Sequence, residues 1–120
     1  MTKVKATQIV SACIYRVCNV FNDVKFSNWA DKWLLGTDRT EETINSLLVP
    51  INEAWVKSNP AIDSNWSYYA AQLTLMLAKF YQEVPTTKPA YIVDSVEDYS
   101  ELNLWPILID KVCKKVESND

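Results

Sequence analysis

The 120-residue sequence contains no histidine, so the side chain that most often serves as general base or metal ligand near neutral pH is missing. Serine and cysteine triads that depend on an imidazole are excluded with it. Glycine occurs once, at Gly36, where average usage would give roughly eight. Glycine-rich phosphate loops are therefore ruled out, and many tight hairpins are disfavoured against long helices with few turns. Arginine occurs only at positions 16 and 39 and no basic stripe is visible, so nucleic acid is not an expected partner. Polar residues break every apolar run before the ~20 positions a membrane span needs, and no membrane partner is expected either. The start, Met1 to Thr7, lacks the apolar core and cleavage site of a signal peptide, which points to the cytosol. The three cysteines, Cys13, Cys18 and Cys113, are an odd set that reads as buried thiols in a reducing compartment. With no Cys-x-x-Cys pair and no Asp-rich calcium loop, neither a metal nor another cofactor is expected.

What the chain does have is apolar material. Hydrophobic residues make up 48% of it, five of them tryptophan, and the net charge is only −3, which sets disorder aside. A chain of this length is the size of one domain with one core, and residues 1–120 are expected to form a single helical unit.

The organising stretch runs from Asn28 to Thr43. Trp29 and Trp33 share a helical face, and Gly36 follows the last apolar residue, where a helix ends by entering the left-handed region. Asp38, three residues before Glu41, has the spacing of a capping box and is expected to open the next helix. Around this corner the periodicity predicts a helix from Val4 to about Asn22, another capped by Ser27, and a third bearing Ile44, Leu47, Leu48, Ile51 and Trp55. Pro50 is expected to kink or split the third. A central helix from about Asn65 to Glu83 carries Trp66, Tyr69, Ala70, Leu73, Met76, Leu77 and Phe80. Residues 84–94, with Pro85 and Pro89, read as a surface segment. A short helix over Glu97–Leu102 and a last one starting near Pro106 complete an all-α bundle of five or six helices.

Each candidate site has a plainer alternative. Glu41 with Glu42, and Glu97 with Asp98, are the adjacent carboxylate pairs, but neighbours on a helix point apart, so no catalytic role is assigned. Trp29 and Trp33 could stack a ligand, yet aromatics at helical spacing are more simply core. Asp38 and Arg39 could pair functionally; the plainer reading is a cap plus an Arg39 fork to a carboxylate that pins the corner. Asp94, Glu97, Asp98 and Glu101 put four acids in eight residues with no base among them, and Tyr99 lies beside them. Such a patch can steer a basic partner, and equally it can be a solvated, acidic helix start.

The pattern Trp29-Ala30-x-x-Trp33-Leu34-x-Gly36-x-Asp38-Arg39-Thr40-x-Glu42 resembles a signature of predicted immunity proteins of bacterial toxin systems and related phage proteins. The resemblance implies a role in neutralising a toxin by binding it, and it assigns no contact residues. The expected function is thus a small macromolecule-binding protein, an inhibitor rather than an enzyme. Its expected partner is a protein with a basic surface, met by Asp94, Glu97, Asp98, Tyr99 and Glu101. A phage-encoded inhibitor of a host defence or nucleic-acid enzyme is the alternative within that class. A homo-oligomeric structural protein is the alternative outside it.

Overall fold

The computed structural model describes residues 3–57, 66–83 and 96–118, with backbone alone at 3, 4, 83 and 96–102. Among these residues there are five helices and no strand: α1 (Lys3–Cys18), α2 (Val24–Leu34), α3 (Glu41–Lys57), α4 (Trp66–Glu83) and α5 (Val96–Ser118). The architecture is all-α, as the periodicity implies. The expected proline-containing surface segment, 84–94, lies outside the described residues. No helix among the described residues is long and apolar enough to cross a membrane.

The helix α1 buries Ala6, Val10, Cys13, Ile14 and Val17 at three- and four-residue spacing, and Phe21 follows in the turn that closes it. The next helix starts earlier than expected. Asp23, in an extended conformation, accepts a hydrogen bond from the Phe26 amide at 3.0 Å, so Asp23 and not Ser27 is the N-cap. The earlier start places Phe26 on the same buried face as Trp29, Ala30 and Trp33, and its ring meets Phe21 edge-on at 5.4 Å. The two tryptophans are core, Trp33 fully buried and Trp29 nearly so, which removes the stacking platform. Truncating either would cost roughly 3–5 kcal/mol.

The corner after α2 is a Schellman motif. The Thr37 amide donates to the Lys32 carbonyl at 2.9 Å and the Gly36 amide to the Trp33 carbonyl at 3.0 Å, with Gly36 at φ +89°. Asp38 does not cap α3. It sits in the left-handed region itself, at φ 52°, and pairs with Lys32 at 3.3 Å. Thr40 is the cap, its hydroxyl accepting from the Thr43 amide at 3.2 Å. Nor does Arg39 reach a carboxylate among the described residues. Its Nε donates to the Trp33 carbonyl at 2.8 Å, and its guanidinium lies 4.1 Å from the centre of the Trp33 ring and 5.9 Å from that of Tyr81. One side chain thus ties a helix end, an indole and α4 together.

Pro50 neither splits α3 nor takes it off the core, because the proline is on the exposed side, where water can serve the carbonyl it leaves unpaired. Ile44 and Ile51 are buried on the other side, and Trp55 stacks on Tyr69 at 5.0 Å. The helix α4 is central, packed by α1, α3 and α5. It therefore buries residues around most of its circumference, including Ala70, Ala71, Leu75, Leu77, Ala78 and Tyr81. Met76, expected in the core, is instead 40% exposed. The expected break before Pro106 is absent too, since α5 is one helix with Pro106 inside it. A proline removes a single bond while its own φ stays helical, and Ile109, Val112 and Cys113, all buried, hold the turns that follow.

Two predictions test the corner. A Cβ on Gly36 would meet only the Arg39 guanidinium, at 4.0 Å, so Gly36→Ala should cost only the backbone strain, about 1 kcal/mol by urea unfolding. Arg39→Ala should cost about 1–2 kcal/mol, and Arg39→Lys should recover less than half, because an ammonium cannot both lie flat on the indole and donate to the carbonyl.

Candidate partner-binding face

The helix α5 is locked into the bundle from both sides of its C-terminal half. Arg16 of α1 donates to Asp110 at 3.1 Å and also pairs with Glu117, while Lys114 pairs with Asp110 at 2.9 Å. Hydrogen bonds from Lys114 and Arg16 hold the Asp110 carboxyl below the usual carboxylate range. Toward α4, the Lys115 ammonium lies 4.2 Å from the centre of the Trp66 ring. These contacts fix which way the rest of the helix turns.

Part of what it turns outward is apolar. Leu104 is 59% exposed, Ile107 56% and Leu108 42%. Together with Phe80 of α4, Trp105 and Lys111 they line an open groove of about 470 Å³. Neighbouring exposed apolar side chains along one helix differ from the isolated exposed Val24, Leu35 or Val56, which are ordinary features of a protein surface. The groove is large enough to receive side chains from another chain.

Of the residues expected to contact a partner, Glu97, Asp98, Tyr99 and Glu101 belong to α5, N-terminal to the groove on the same helix. Their side chains, and Asp94 altogether, lie outside what is described. Apart from Phe80, which was placed on the face of the central helix, the groove residues are absent from the sequence expectation. A signal was present: Ile107 is apolar but falls off the Ile109, Val112, Cys113, Val116 stripe, a surplus that one buried face does not need.

The other candidates resolve as structure. Glu41 pairs with Lys79 at 3.3 Å, joining α3 to α4, and Glu42 is exposed. Another groove, of about 420 Å³, lies between α2 and α3, edged by Lys25, Lys32 and Asp38. Among the described residues no cluster of three acids or thiols could hold a metal. Cys13 and Cys113 are buried and their thiols are pushed up to about 12 and about 11, chiefly by burial; burial also raises Cys18. At neutral pH they are thiols, not nucleophiles. Comparison with known families, with curated proteins and with solved structures finds nothing that matches the chain.

Because the unfolded chain deprotonates these cysteines near their ordinary value of 9 and the folded chain only at about 11 to 12, folding stability should fall as pH rises through that window. Melting temperatures should drop above pH 9, and the Cys13→Ala/Cys113→Ala variant, less stable at neutral pH, should show the shallower drop.

Proposed function

We propose that this protein acts by binding another protein, as an inhibitor of immunity-protein type working in the cytosol. The observation that carries the reading is the row of exposed apolar side chains, Leu104, Ile107 and Leu108, on the helix that also bears Glu97, Asp98 and Glu101. Burying such a row against a partner supplies the hold, and the acids supply attraction for a basic surface and speed the encounter. The Trp29 to Glu42 resemblance supports the same role, with a toxin as the occluded partner. A rigid bundle that meets its target through one helix needs no catalytic group of its own.

The test is comparative capture from the source cell, including proteins encoded beside this one. A partner held by the wild type should be lost by Leu108→Asp, and its association rate should fall several-fold in the Glu97→Gln/Asp98→Asn/Glu101→Gln variant at low salt but not at high salt. Capture and kinetics indifferent to both variants would contradict the reading.

A further inference from the structure

The helix α5 carries a pattern that reads alike from either end. At successive spacings of four, three, four, three and four residues stand Glu97, Glu101, Leu104, Leu108, Lys111 and Lys115. Steps of this kind keep residues along one line of a helix, the seam of a heptad pair. The line therefore runs from two acids, through two leucines, to two lysines. Pro106, midway between the leucines, lies two residues from each and so half a turn round the helix, away from the line.

From this we infer that the protein forms a homodimer in which two copies of α5 pack antiparallel about a two-fold axis opposite Pro106. In that arrangement Leu104 meets Leu108 of the second copy, Glu101 meets Lys111, and Glu97 meets Lys115. Each pairing occurs twice, as an isologous interface requires. A parallel pair fits less well, because it would set acid against acid and lysine against lysine. Three structural facts agree with the placement. Leu104 and Leu108 are exposed at the centre of the line. Lys111 edges the groove that the second helix would enter, beside Phe80 and Trp105. Lys115 is exposed at the end of the line, with its ammonium over the outer part of the bundle at Trp66.

The dimer covers the face that a foreign partner would use, with lysines of the second copy answering the acids. A second copy and a foreign protein therefore compete, and dissociation of the dimer would be the step that frees the face. The inference does not rest on the partner-binding reading: a dimer with no foreign partner leaves it intact, and a partner bound by a strictly monomeric protein overturns it alone.

Sedimentation velocity on the purified full chain, from low micromolar to several hundred micromolar, is the test. The wild type should pass from monomer to dimer mass. Glu101→Lys or Lys111→Glu alone should weaken the dimer about ten-fold, since each reversal turns two attractive pairs into repulsive ones, and the double exchange should restore it. Leu108→Asp should be monomeric throughout while keeping the wild-type circular dichroism spectrum. Monomer mass for the wild type at every concentration would overturn the inference, as would a dimer that neither Leu108→Asp nor the single charge reversals weaken.

Discussion

The constraint on which the molecule depends is that α4 must be buried from several directions at once. Ala70, Ala71 and Ala78 let the surrounding helices approach its backbone closely, and Leu75, Leu77 and Tyr81 fill the space between. Even Thr74 is fully buried, its hydroxyl satisfied by the Ala70 carbonyl one turn back at 3.0 Å. Polar links at the rim fix the register of the neighbours: Thr7 to Tyr81 at 2.9 Å from α1, Gln72 to Asn52 at 2.9 Å and Lys79 to Glu41 from α3. Once α4 is enclosed, α5 must lie where Ile109, Val112 and Cys113 complete the core, which leaves Leu104, Ile107 and Leu108 exposed.

The corner after α2 serves the same end by a different route. Gly36 turns the chain, Arg39 covers the Trp33 ring, and that ring meets Tyr81 of α4 at 5.3 Å. A side chain that looks in sequence like half of an ion pair works instead as a lid on an indole. The indole N–H groups of Trp29 and Trp33 are buried with no partner among the described residues, so these rings act through shape and dispersion.

The all-α architecture, the glycine corner, the central helix and the burial of Cys13 and Cys113 were legible in the sequence, because each follows from local pattern; Cys18, expected to be buried as well, is only half-buried. The Asp23 cap was missed because Ser27 offered an equally good local signal, and only the burial of Phe26 decides between them. The same holds for Asp38 against Thr40, where two plausible caps stand two residues apart. Pro50 was read as a kink or a split and Pro106 as a helix start, yet a missing backbone bond costs little when the flanking residues are held by the core. Met76 was placed inside by a two-sided pattern read as one-sided. The groove went unread for a different reason: Leu104, Ile107 and Leu108 were left out of the buried stripe, and only the packing shows that they stand together on the surface.

We read α5 as divided, with its C-terminal half part of the core and the surface from Leu104 to Lys111 an interaction face. Hydrogen exchange of the purified protein, followed at low and high concentration, tests this most directly. Residues 109–116 should be strongly protected at both concentrations, while 101–108 should exchange faster when dilute and gain protection as the protein is concentrated. Equal protection along the whole helix at both concentrations, or a gain confined to another helix, would contradict it.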